Sequence, residues 1–314
     1  MHDPGSASPS WSTWISLGHR RSSLRLDPPS GGHVRPPHIE PSRPALIFGL
    51  LALLAAACSG GASAPSRPSS PEVRAALAAW ARFPVHASPR PLVLIDGTIN
   101  APGLGFRDDA DKEAFFEGSI APPSTFPVGP SSASGFSLIS PRSAFIELTK
   151  PEGNGPPAQT QLVVTTVTLG RASFDTDRGT LSLPAWKFRF QNVENPAEVL
   201  AVSAKRIFAS PAPLDKGQAV GSAILGSNDK TLTVETGGTP MGTGPCTASY
   251  SMDIGASDTA VAVQLHVTPH YGDEACILPA VSVRLRATLA APLGNRVLVD
   301  AASLQPVPVT SANS

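Results

Sequence analysis

The chain has 314 residues, with 24 lysines and arginines balanced by 24 aspartates and glutamates, so no charge excess would hold it on nucleic acid, and no nucleic-acid partner is expected. Its 27 glycines and 34 prolines, beside 6% aromatic and 15% charged residues, describe a loop-rich, strand-rich protein and exclude long helical bundles. At about 150 residues per domain, the length suggests two domains.

Residues 1–43 are rich in Pro, Ser, Arg and His without an apolar period, and read as a disordered leader or as the product of a mis-assigned start codon. Val34 is the alternative start to Met1. Residues 44–57 form a signal h-region: Ala45 to Ala57 carries no charge, and Arg35 and Arg43 lie upstream. A bilayer span takes about 20 apolar residues, so this run is too short to be one. The run ends Ala55-Ala56-Ala57 and is followed directly by Cys58.

Small residues running into a cysteine resemble the lipobox of bacterial lipoprotein signal peptides, although leucine is commonest where Ala55 stands and here Leu54 comes one place earlier. The resemblance implies that Cys58 is diacylated and becomes the new N-terminus. The protein would then be lipid-anchored at the extracytoplasmic face of the cell membrane. Cleavage at an ordinary Ala-x-Ala site, Ala55–Ala57 or Ala62–Ala64, would give a secreted protein instead. Of three cysteines, acylation of Cys58 leaves Cys246 and Cys276 as an even pair, which an oxidising compartment would join as a disulfide.

Residues 58–70, rich in Ser, Gly, Ala and Pro, read as a flexible tether with a reach of roughly 20 Å. The expected fold class is α+β: a mixed domain over 71–208 with short helices and an antiparallel sheet, a connector over 209–230, and a β-rich, sandwich-like domain over 231–310. A short amphipathic helix is predicted over Pro71–Arg82, with Ser69 or Ser70 as its cap, and a buried strand over Pro91–Ile95. Asp108, Asp109, Asp111, Glu113 and Glu117 crowd one stretch but lack the glycine of a calcium-binding loop. Asp108 or Asp109 is therefore read as the cap of a helix running through Phe116. Residues 118–141 read as a loop, and Ser143–Lys150 as another helix.

From Gln161 the period changes to two. Gln161–Leu169, Leu183–Phe190 and Val199–Ser203 are predicted strands, with Trp186, Phe188 and Phe190 on a core face opposite Lys187 and Arg189. In the second domain, Ala260–Val267 and Val281–Leu289 alternate most clearly. Cys246 shares parity with Ala248, Tyr250 and Met252 and is expected to point inward. Pro292–Asn295 turns the chain into Arg296–Asp300, read as one more short strand.

The pieces Thr176-Asp-Arg-Gly179, Leu183-Pro-Ala-Trp186, Ser257–Val263 and Pro292–Asp300, with the central cysteine pair, resemble uncharacterised actinobacterial secreted lipoproteins. That resemblance implies a compartment and a disulfide-containing C-terminal β domain, and brings no activity. The best metal-ligand candidates are His266, His270, Asp273 and Glu274, but Pro269 breaks the helical His-x-x-x-His pattern, so no metal or other cofactor is expected. Ser227-Asn-Asp-Lys230 reads as a polar turn and not as an acylation motif. With no catalytic residue assigned, the expectation is a non-enzymatic binding or structural module, partnered by the membrane through its anchor and by an envelope protein or small ligand. The alternative is a secreted hydrolase whose site is assembled from distant loops.

Overall fold

The computed structural model describes residues 70–151, 158–214, 220–272, 276 and 281–312. Among the described residues the fold is mixed and β-rich, with three α-helices and several sheets. The leader, the h-region, Cys58 and the tether up to Ser69 lie outside the described residues, whereas Ser70, expected at the end of the tether, is described and buried. No helix among the described residues is long and apolar enough to cross a membrane.

The first helix, α1 (Pro71–Ala79), begins as its sequence requires: Ser70 Oγ accepts from Val73 N at 3.2 Å, and Pro71 sits where no intrahelical donor is needed. Its buried face, Val73, Ala76 and Leu77 with Trp80 beyond, does not pack on the strands nearest in sequence. It packs on Ala260, Ala262, Val297 and Val299, far along the chain, and Trp80 Nε1 donates to Leu304 O at 2.9 Å. The next elements are short: β1 (Ile99–Asn100), α2 (Asp109–Phe116), β2 (Ile120–Ala121), β3 (Ser132–Ala133), β4 (Phe136–Ser137) and α3 (Pro141–Leu148). Asp108 caps α2 by accepting from Asp111 N at 2.9 Å, and Ser140 caps α3 by accepting from Ser143 N at 3.0 Å. The predicted strand at 91–95 is corrected. Leu92 bridges Ile207 and Leu94 bridges Thr176, two different neighbours, so the segment crosses between elements and joins no ladder.

A long hairpin, β5 (Leu162–Thr176) and β6 (Gly179–Phe190), organises the first sheet, whose strand order is β1-β7-β6-β5-β2 with β7 at Ala197–Leu200. The hairpin changes its buried face along its length. Near its open end Val167, Leu169, Trp186 and Phe188 pack under α2 and α3. Towards its turn the opposite parity is buried, Ala172 and Phe174 with Leu183 and Ala185. A bulge between Val164 and Thr166 brings Val164 onto the same face as Val167.

The remaining strands are β8 (Ser222–Leu225), β9 (Thr231–Gly238), β10 (Thr247–Ala256), β11 (Ala260–His270), β12 (Val281–Thr288), β13 (Val297–Asp300) and β14 (Val309–Ser311). They form a three-stranded sheet, β10-β11-β13, and a four-stranded sheet, β12-β9-β8-β14. Val261, Val263, Leu265 and Leu298 of the first share one core with Leu232, Val234, Ala223 and Val309 of the second. The connector expected at 209–230 therefore holds an inner strand, β8. Its four residues are too short a run for alternation to show in the sequence. The turn after it is as read from Ser227–Lys230: Asn228 Oδ1 accepts from Lys230 N at 3.0 Å and Thr231 N at 2.8 Å.

The turn between β5 and β6 ties the two halves of the fold. Asp177 is buried; Arg90 forks onto both of its carboxylate oxygens, and Asp177 N donates to Val93 O at 3.0 Å. Its neighbour Arg178 donates to Gly294 O at 2.7 Å and Arg296 O at 2.6 Å. Burial lowers the Arg178 guanidinium from its ordinary pKa, while the adjacent Asp177 carboxylate raises it.

Candidate functional site

Of the residues singled out in the sequence, Cys246, Cys276, His266 and His270 lie at the open end of the β10–β11 hairpin or just beyond it. Cys246 and Cys276 form a disulfide with Cα atoms 5.4 Å apart. It ties the segment after β11 back to the start of β10, where Cys246 N also donates to His270 O at 2.8 Å. Cys246 does not point into the core as its parity suggested. It stands one residue before β10, half-buried, at a backbone φ of +60°, so strand alternation does not govern it.

This end of the hairpin runs out beyond the core. Leu265 is buried, whereas His266, Val267, Thr268 and Pro269 are exposed, and Tyr271 is 81% exposed. His266 Nε2 meets Asp253 Oδ2 at 3.2 Å, and His270 Nε2 meets Ser249 Oγ at 2.7 Å. The two imidazoles stand four positions apart on one strand, about 13 Å along an extended chain, too far to share a cation. Asp273 and Glu274 lie outside the described residues. Among the described residues no group of three or more metal-ligating side chains occurs.

Sequence reasoning missed Asp253 and Ser249, and their signal was legible. Both sit on β10 at the parity opposite to Ala248, and the register sets Ser251 against His266 and Ser249 against Thr268. A hydroxyl bonded to an imidazole is the first element of an acyl-transfer site. The pair is half-buried, and the other histidine, His266, takes its own carboxylate partner, Asp253, rather than completing a triad with Ser249 and His270. Comparison with protein-family models, curated proteins and solved structures finds no match to this chain.

Proposed function

We propose that the chain is an extracytoplasmic lipoprotein, held on the outer face of the cell membrane through acyl groups on Cys58, and that its β-rich body is a non-enzymatic binding or structural module of the envelope. The observation that carries this reading is the Cys246–Cys276 disulfide. It consumes two of the three cysteines and is consistent with an oxidising compartment, which leaves Cys58, directly after the apolar run, as the odd one. The division of the body into a mixed part over 71–208 and a sandwich-like part over 231–310, and the kinship with actinobacterial secreted lipoproteins, belong to the same proposal. The test is metabolic labelling with a palmitate analogue together with intact-mass analysis. Wild type is expected to label and to fractionate with membranes, and Cys58→Ser to lose both. A native N-terminus other than a modified Cys58 overturns the reading.

The Ser249–His270 contact favours a second reading, a secreted hydrolase. Turnover of activated esters that disappears in folded Ser249→Ala protein would establish it.

A further inference from the structure

A second concavity lies well away from the disulfide end of the hairpin. Between the loop at 126–131 and the start of α3 runs a groove of about 510 Å³, walled by Phe126, Val128, Pro130, Leu138 and Pro141, with Arg142 among its lining residues. Its size falls within the range of small-ligand sites, which combine apolar walls with a few placed polar groups. The wall is built on the core. Gly129 lies so close to Trp186 that a Cβ there would come within 2.5 Å of Trp186 Cη2. The indole is itself held by donating Nε1 to Ile139 O at 3.0 Å, between the lining residues Leu138 and Ser140.

The polar group is equally well placed. The Arg142 guanidinium carbon stands 4.9 Å from the Phe126 ring centroid. That ring packs edge-on against Phe145 at 5.6 Å, and Phe145 against Phe188 at 6.2 Å. The fork is thus carried on an aromatic chain rooted in the core, and among the described residues it makes no ion pair with any carboxylate. The first turn of α3 adds to the preference for negative charge there. A single planar fork matches one carboxylate, two N–H groups to two oxygens, whereas a phosphate carries more charge and draws several donors.

We propose that this groove binds a small amphiphilic monocarboxylate, its carboxylate on Arg142 and its apolar body against Phe126, Val128, Pro130 and Leu138. The proposal goes beyond membrane anchoring and stands whatever the state of Cys58. The experiment titrates the full chain, labelled with ¹⁵N, with octanoate, octanamide and acetate. The indole N–H of Trp186 reads the groove, and that of Trp80, bonded to Leu304 O in a separate core, is the internal control. Saturable octanoate shifts at Trp186 with Trp80 unmoved are expected, with octanamide and acetate each at least about fivefold weaker. Arg142→Gln should weaken octanoate by about five- to tenfold and leave octanamide unchanged. Val128→Glu changes a fully exposed side chain, so the protein should fold normally and lose octanoate binding by charge repulsion. Absence of saturation, equal affinity for octanoate and octanamide, wild-type affinity in Arg142→Gln, or parallel shifts of both indoles would each overturn the proposal.

Discussion

Substituting Asp177 by Asn tests whether the β5–β6 turn is the tie between the two halves of the fold. The carboxylate is 1% exposed, its forked partner Arg90 is 16% exposed, and Arg178 Nε approaches it at 3.7 Å while 27% exposed. Asparagine keeps the shape and one acceptor but removes the charge. Two partly buried guanidinium groups then face one another without the carboxylate they share, and Asp229 is left as the remaining acidic group acting on Arg178. Removing one member of a buried pair costs about 3–5 kcal/mol, and hydrogen bonds to charged groups contribute about 1.5–3 kcal/mol each. Because both arginines keep some solvent, and each retains bonds to backbone carbonyls, Arg90 to Asn295 O at 3.0 Å among them, the low end applies: about 3 kcal/mol. For a body of this size that corresponds to a fall in Tm of about 6–12 °C. Urea melts of wild type, Asp177→Asn, Arg90→Met and the double variant close a cycle, and the double variant should lose clearly less than the sum of the singles. Asp177→Asn within about 0.5 kcal/mol of wild type, or strict additivity, would falsify the argument that this buried cluster holds the halves together.

Three further outcomes are expected. Replacing both cysteines of the pair by serine should lower stability by about 3–4 kcal/mol on loop-closure entropy, given the 30-residue separation, and melts with and without reductant should agree on the size; unchanged stability refutes a clamp. Gly118→Ala should cost about 2 kcal/mol or more, because Gly118 leaves α2 at φ +67° and a Cβ would lie 2.3 Å from Thr149 O; a wild-type urea midpoint would show that the chain relaxes freely there. The Asp108 carboxylate is held below its ordinary pKa by the N–H of Asp111 and by Arg107, so what it adds to stability is present above the unfolded carboxylate range, about pH 4, and is lost as pH falls through its lowered value. Asp108→Asn should keep the cap but flatten the acid limb of the stability profile, and an identical acid limb in both proteins would show that the cap charge is idle.

Local chemistry was legible wherever one residue type decides the outcome. Ser70 and Asp108 cap the first two helices as expected, whereas the third begins at Pro141 behind the cap Ser140, two residues before the expected start at Ser143. What alternation concealed was the length of the central hairpin. The sequence pattern ends at Leu169 because the apolar parity inverts there: after the bulge the odd positions Val167 and Leu169 face the core, and from Ala172 onward the even positions do. A strand whose two faces are covered in turn by different layers has no single hydrophobic face, so a period-two test stops at the crossover although the backbone pairing continues to Thr176. The destination of α1 was hidden for a different reason. Its amphipathic face says that something covers it, but the residues that do so, Ala260, Ala262, Val297 and Val299, are close to it only through the topology.

The same distinction separates the two candidate sites. The histidines were conspicuous because they are rare and four apart, yet a strand spaces such positions beyond the reach of one cation and hands each to a cross-strand partner: Asp253 for His266, Ser249 for His270. The groove at Arg142 offered no rare residue type. Phe126-Pro-Val-Gly-Pro130 reads as loop because Pro and Gly break every period, but those residues also make a rigid wall, and Gly129 in particular lets the backbone lie against Trp186 where any side chain would collide. Trp186 was read correctly as core. Being core is what allows it to support the groove: a large side chain, fixed by its bond to Ile139 O, sets the position of the loop above it, and the loop in turn places Phe126 under the guanidinium. The proposed groove lies where a turn-rich segment is pinned to an aromatic core beside an arginine that, among the described residues, has no carboxylate partner. The measurable consequence is that Arg142→Gln should alter ligand affinity while lowering stability by no more than about 1 kcal/mol, since its exposed guanidinium forms no ion pair among the described residues and gives up only its contact with the Phe126 ring.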